Sequence, residues 1–235
     1  MNKFTRYIVL IAGGVATATL IVYLIVRKPK GKLKPSKNIK EKVKMIPNFD
    51  SFDIYKNASK KVIANIPKAK YGKYDILIVW GGMHYANPDW IKEQIPKELF
   101  YTHIIIISDY RINWNELKPI YNKFLKDSFL TNSVNSTSIA GFSAGGYDVY
   151  DNYNQNYHFV GLIDPSTKSS YAKLPFSSNT KMVYNDRNWG GYTNIKKALP
   201  LVAKAVNDNG GFAEKVSLSH KDIPKYFFNK FKNEI

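Results

Sequence analysis

The sequence contains no cysteine. That removes disulfide staples, thiol nucleophiles and cysteine-ligated zinc, and it leaves the redox compartment open. Histidine is scarce as well: His84, His103, His158 and His220 are the four imidazoles in 235 residues. No His-Glu-x-x-His run and no acidic cluster at ligand spacing occurs, so no metal is expected. Neither a Gly-Lys-Ser/Thr phosphate loop nor a G-x-G-x-x-G turn is present, so no nucleotide cofactor is expected.

Acidic residues are few, 18 Asp and Glu against 35 Lys and Arg, which leaves a net charge of +17. The imbalance is uneven. Residues 1–44 hold 11 Lys and Arg against one acid, Glu41, so the remainder is only moderately basic. A nucleic-acid face would cluster basic residues with aromatics on one element. No such cluster lies outside the tail, and no specific nucleic-acid partner is expected.

The tail contains a long apolar run without charge, residues 7–26. Twenty residues in a helix span about 30 Å, the thickness of bilayer hydrocarbon. Ala16-Thr17-Ala18 has the look of a cleavage site, but eight more apolar residues follow it, so the expectation is an uncleaved transmembrane anchor over residues 1–27. Residues 28–45, rich in Lys with Pro29 and Pro35, read as a basic flexible linker that attracts anionic lipid head groups. Flanking charge is heavier on the C-terminal side of the run, which favours a cytoplasmic domain by the positive-inside rule, although a virion membrane need not obey it.

Residues 46–235 carry a repeating rhythm. Strand-like apolar runs at 74–80, 102–108, 137–142, 159–163, 180–184 and 213–218 alternate with helix-compatible stretches at 88–99, 114–127, 193–206 and 222–231. Strands apolar along their length, alternating with helices, predict a mostly parallel α/β sheet of about six strands with helices on both faces. Residues 45–73 are less regular and suggest a short strand or helix at the domain edge. Functional loops of such sheets lie at the strands' carboxyl ends.

Gly141-Phe142-Ser143-Ala144-Gly145 follows one of these strands and fits G-x-S-x-G. In that motif a serine sits on a sharp strand-to-helix turn, its hydroxyl is pushed outward, and the next backbone N–H can meet an oxyanion. The plainer alternative is a turn whose serine caps the following helix. A serine needs a base. His103 and His158 precede strands and so belong to the opposite rim, whereas His220 follows the last strand. The base needs an acceptor to fix its tautomer. Asp186 follows the fifth of these strands and is expected in that role, being nearer His220 in sequence order; Asp164, after the fourth, is the alternative. Oxyanion donors are expected from Ala144 N–H and from Gly82 or Met83 in the Gly81-Gly82-Met83-His84 loop.

These motifs, in the order Ser143, Asp186, His220, resemble the α/β-hydrolase superfamily over roughly residues 70–235. The resemblance implies a reduced member whose two leading strands are missing or degenerate. Only 15 residues separate Asp164 from Thr180, too few for a large lid. It implies a membrane-anchored serine hydrolase of the esterase or deacetylase kind, with peptidase or acyltransferase chemistry also open. Its substrate would be a small-molecule or polymer-borne ester. The competing expectation is an inactive hydrolase-fold protein that binds or builds an envelope or virion.

Overall fold

The computed structural model describes residues 49–57, 59–68, 73–85 and 87–235. The expected anchor over 1–27 and the linker over 28–45 lie outside the described residues. Among the described residues no helix is long and apolar enough to cross a membrane.

Eight strands form one sheet, where sequence periodicity led to about six. They are β1 (Phe49–Lys56), β2 (Lys61–Pro67), β3 (Tyr74–Trp80), β4 (His103–Ser108), β5 (Val134–Phe142), β6 (Val160–Ile163), β7 (Thr180–Tyr184) and β8 (Phe212–Lys215). Their order across the sheet is β1-β2-β4-β3-β5-β6-β7-β8. The six strands from β4 to β8 run parallel, while β1 and β2 add an antiparallel ribbon against β4. The two leading strands are therefore present, neither missing nor degenerate. They escape periodicity for physical reasons. β1 is an edge strand with four successive exposed residues, and its register shifts between Asp53 and Tyr55. β2 buries Val62 to Ala64 in succession, so it does not alternate.

The isoleucines of β4 illustrate how the central strands are covered. Ile104 and Ile106 face one side of the sheet and Ile105 and Ile107 the other, and all four are fully buried. On the first side they meet α3 (Trp114–Asp127), α4 (Gly146–Asp151) and α5 (Thr193–Asp208), through Leu117, Val149 and Val202 among others. The second side is closed by α1 (Pro88–Gln94), α2 (Leu99–Thr102) and α6 (Ile223–Phe231), through Ile91, Phe100, Phe227 and Phe228. Period-2 side-chain alternation thus feeds two cores from one strand. The helix expected over 88–99 is broken into α1 and α2. Ile95 is held extended at φ −82° and ψ 129° ahead of Pro96, as sterics require of a residue before proline.

Candidate active site

The elbow is built by close backbone approach. β5 ends at Phe142, a 3-10 turn covers Ser143–Gly145, and α4 begins at Gly146. Ser143 sits at φ +54°, a left-handed conformation that non-glycine residues seldom adopt. The chain can make that turn because its neighbours carry no side chain. A Cβ on Gly141 would lie 2.2 Å from the Gly145 carbonyl oxygen, and one on Gly145 would lie 2.6 Å from Trp80 Cβ. Trp80, wholly buried and tied by its indole N–H to the Ile112 carbonyl at 3.1 Å, makes the end of β3 a rigid wall for the turn. Backbone strain at a functional residue persists when such surroundings over-determine it.

Ser143 is 6% exposed, and among the described residues its hydroxyl has no hydrogen-bond partner. Gly82 packs directly against it. A Cβ there would stand 2.6 Å from Ser143 Cβ and 3.2 Å from Oγ. In the same loop the Gly81 N–H donates to Ser108 O and the Tyr85 N–H to Gly82 O. The N–H groups of Gly82 and Met83 take no partner among the described residues, and neither does that of Ala144. These are the three donors expected from the sequence, on a loop and an elbow in contact. The Met83 side chain is 53% exposed and His84 is exposed beside it.

His220 lies beyond β8, and its ring is walled by aromatics. Phe142, the residue before Ser143, stands 4.6 Å away centroid to centroid, Trp189 meets it edge-on at 5.3 Å, and Tyr85 lies at 6.3 Å. Nδ1 is 2.6 Å from Asp164 Oδ2. That contact uses Nδ1 and turns Nε2 into the group left for other chemistry. No hydrogen bond among the described residues joins His220 to Ser143.

The carboxylate beside His220 therefore belongs to Asp164, and the expectation for Asp186 is corrected. Asp164 follows β6, the strand next to β5, at φ +39° and with no exposure. Its oxygens accept from the Asn185 N–H at 2.9 Å, the Asn188 amide at 2.7 Å and the Trp189 indole at 3.4 Å, besides His220. A buried carboxylate needs its lone pairs filled in this way. Asp186 faces elsewhere. It lies at the start of a 3-10 turn and takes an ion pair from Lys215 at 2.7 Å. That lysine's hydrogen bond holds the Asp186 carboxyl below its ordinary range. The backbone explains the exchange: Asn185, not Asp186, turns inward after β7, and Lys215 is the register partner of Tyr184 on β8.

Asn185, Asn188 and Ser166 were not singled out from sequence for this site, whereas Trp189 was expected among the strand-end aromatics that could line a pocket. Asn185, Asn188 and Trp189 form the cage around Asp164, and Asn185 also holds the His220 loop through the Leu218 carbonyl at 2.9 Å. Ser166 donates its N–H to the Ser143 carbonyl at 2.7 Å, tying the Asp164 loop to the elbow. A polar Asn-Asp-Arg-Asn-Trp run directly after an apolar strand is the one signal that could have marked the cage. Of the remaining histidines, His84 lies exposed on the 81–84 loop. His103 is buried at the head of β4 against Thr102 Oγ1 at 2.7 Å, and burial pushes its imidazole down from the ordinary range. Among the described residues no group of three or more His, Asp or Glu could hold a metal ion.

No protein-family model matches the chain, and no curated protein matches it in sequence. Solved structures do share its fold. It is similar to an esterase of Pyrococcus furiosus at 12% identity and a TM-score of 0.53, over 79% of this chain and 89% of that one. Esterase 2 of Thermogutta terrifontis phosphonylated by sarin is similar at 11% identity and a TM-score of 0.52, over 78% and 91%. Poly(aspartic acid) hydrolase-1 from Sphingomonas sp. KT-1 is similar at 14% identity and a TM-score of 0.51, over 78% and 98%. At these identities the likeness establishes the fold: a mostly parallel eight-stranded α/β sheet shared with esterases and hydrolases of the α/β-hydrolase type.

Proposed function

We propose that the protein is a serine hydrolase of carboxylic esters, with Ser143 as nucleophile, His220 as base and Asp164 as the acid that orients the base. One observation carries the reading. A serine on a strained elbow faces a loop with free N–H groups, beside an imidazole whose far nitrogen is bound to a fully buried carboxylate. The esterases with this fold support the reaction class.

The chemistry follows from the placements. As substrate enters, His220 Nε2 takes the Ser143 proton while Oγ attacks the ester carbonyl. Asp164 keeps the proton of Nδ1 in place and stabilises the imidazolium. The oxyanion meets the N–H of Ala144 and that of Met83 or Gly82. His220 then protonates the leaving alcohol, and water deacylates the serine by the reverse path. The Ser143–His220 hydrogen bond forms in the substrate complex, since catalytic hydrogen bonds often tighten only there. The segment from Asp164 to Thr180 contains one 3-10 turn, Ser169–Lys173, and no lid, which fits a small or polymer-borne ester rather than a deeply buried lipid chain. The apolar run 7–26 supports attachment to a membrane, with the Lys-rich stretch after it drawn to anionic lipid.

A second reading, a binding or structural scaffold without turnover, draws on the missing Ser143–His220 hydrogen bond. A fluorophosphonate probe separates the two. Labelling of the parent protein, lost in Ser143→Ala, together with hydrolysis of p-nitrophenyl butyrate, is the expected result. A parent that takes no label and turns over no ester is the scaffold.

A further inference from the structure

Phe129 follows the end of α3 in a place that folding alone does not account for. It is 93% exposed, and its backbone stands at φ +58°. Its N–H donates to the Lys126 carbonyl at 3.1 Å, and the Leu130 N–H donates to the Leu125 carbonyl at 2.8 Å. That pair of bonds is a common way to stop a helix, and the left-handed residue inside it is ordinarily glycine. A phenylalanine there carries backbone strain and leaves its ring in water, a combination that points to contact with something outside the domain.

Phe129 lines a groove of about 420 Å³ together with Phe52, Ile66, Pro67, Tyr74 and Leu130. Phe52 is 44% exposed, and its ring meets Phe124 of α3 at 6.0 Å. Two exposed phenylalanines on one groove make an apolar patch. The charges around it are mostly positive. Lys68 pairs with Asp50, an acid of the lining, at 3.6 Å, and Lys123 pairs with Asp127. Asp75, beyond Tyr74, is taken up by Asn135 and Ser136. Lys73, next to Tyr74, and Lys126, three residues before Phe129, are exposed and have no carboxylate partner among the described residues.

The groove lies at one end of the sheet. Tyr74 opens β3, Ser133 precedes β5, and Pro67 closes β2, which runs antiparallel to β4. All three mark the amino-terminal rim of the parallel strands, whereas Ser143 and Asp164 follow the carboxyl ends of β5 and β6. Phe49, the first residue of β1, pairs with Pro67. The chain therefore enters the domain at the same rim as the groove, after the apolar run 7–26 and a Lys-rich stretch. We propose that the Phe52–Phe129 face docks on an anionic lipid surface. The two rings enter the head-group layer, the lysines meet its phosphates, and Ser143 opens away from the bilayer, towards esters in the water. This deepens the membrane attachment in the hydrolase reading and rests on it. A second copy of the chain is a poorer occupant. β1 is an edge strand, but its register shift between Asp53 and Tyr55 blunts it for pairing, and a lysine rim repels its own image.

The chain has no cysteine, so a single introduced thiol takes a dye at one place. Thr131→Cys lies exposed two residues beyond Phe129, and Tyr192→Cys replaces a residue 56% exposed beyond β7 at the opposite rim. Each carries acrylodan in the full chain. Flotation with phosphatidylcholine vesicles, plain or with about a third phosphatidylglycerol, reports attachment, and dye emission reports docking. The expected result is a blue shift at residue 131 on the anionic vesicles, smaller on plain ones and in NaCl, with none at residue 192. Phe129→Gly relieves the left-handed strain, so it melts no lower than the parent. It nevertheless lowers the ratio of docked to free domain about tenfold, as loss of one buried ring requires. A chain that floats with an unshifted dye at 131 overturns the proposal, as does a shift at 192 instead, or docking that survives Phe129→Gly. A concentration-dependent shift at 131 without lipid assigns the face to a second copy and overturns it as well. A chain that floats with neither vesicle strikes the membrane attachment itself, and docking with it.

Discussion

Replacing Asp164 by Asn is the most incisive test of the site, because the cage around that carboxylate dictates how an amide must sit. Oδ1 accepts a backbone N–H, that of Asn185, which cannot rotate away. An amide NH₂ in that place would set donor against donor, so the Asn oxygen takes the Oδ1 position and its nitrogen the Oδ2 position. The nitrogen then faces His220 Nδ1 and the Asn188 amide. His220 answers by accepting at Nδ1, which puts its proton on Nε2, where it cannot take one from Ser143. Loss of the correct tautomer costs roughly 10⁴ in kcat, about 5 kcal/mol of barrier. The control is Asp186→Asn, which removes only a partly exposed ion pair with Lys215, worth about 0–1 kcal/mol of stability. The assay is kcat with p-nitrophenyl butyrate, alongside the rate of fluorophosphonate labelling and a thermal melt to show that both variants fold. Asp164→Asn within tenfold of the parent, or an equal loss in Asp186→Asn, refutes the assignment.

Other perturbations give equally sharp outcomes. Gly82→Ala places a methyl 2.6 Å from Ser143 Cβ, and a displacement of the nucleophile or loop on that scale lowers kcat/KM by about 100-fold; a melting temperature near the parent's together with full activity would contradict the packing. Burial pushes the Asp148 carboxyl up to about 7, with the Asp151 charge adding to it. The folded chain then keeps a proton that the unfolded chain releases, so this group's stability contribution is present below about pH 4 and is lost as pH rises towards 7. Asp148→Asn should melt above the parent at about pH 8 and level with it at about pH 4; the same difference at both values would refute the burial argument. Phe227 is fully buried, with Gly161 of β6 directly beneath its ring. Truncation to Ala costs about 3–5 kcal/mol in urea unfolding, and a loss under about 1 kcal/mol would mean that α6 is not anchored there.

How much of this was readable beforehand differs from element to element. The inner parallel strands were readable because burial on both faces writes them as largely apolar runs, β4 with its four isoleucines above all, whereas β8, expected over 213–218, spans Phe212–Lys215 with no fully buried residue. Helix α3 was readable to both ends because its apolar spacing, the Asn113 cap and the turn at Ser128 agree. β1 was not, since an edge strand with a register shift shows neither a run nor a clean alternation. Ser143, His220 and the glycines of the 81–82 loop stood out as candidates because each follows a strand and each has a residue type that the proposed chemistry demands. That Asp164 and not Asp186 stands beside His220 escaped the sequence for a different reason. Two aspartates follow neighbouring strands, and sequence order does not say which one the backbone turns inward. That choice lies in φ +39° at Asp164 and in the Asn185 N–H that reaches across from the next strand, neither of which leaves a periodic trace.

The three side chains of the proposed triad are not equally secure. Ser143 and Asp164 terminate β5 and β6, each clasped by a neighbour on either flank, whereas His220 trails from β8, a four-residue border strand with a single neighbour and no fully buried residue. What pins it are the Asp164 contact, the rings of Phe142, Trp189 and Tyr85, and the Asn185 amide on the Leu218 carbonyl. If that border lifts briefly, the imidazole leaves while the elbow stands intact, so heat would silence the molecule some degrees before it melts, and cooling would restore it without refolding.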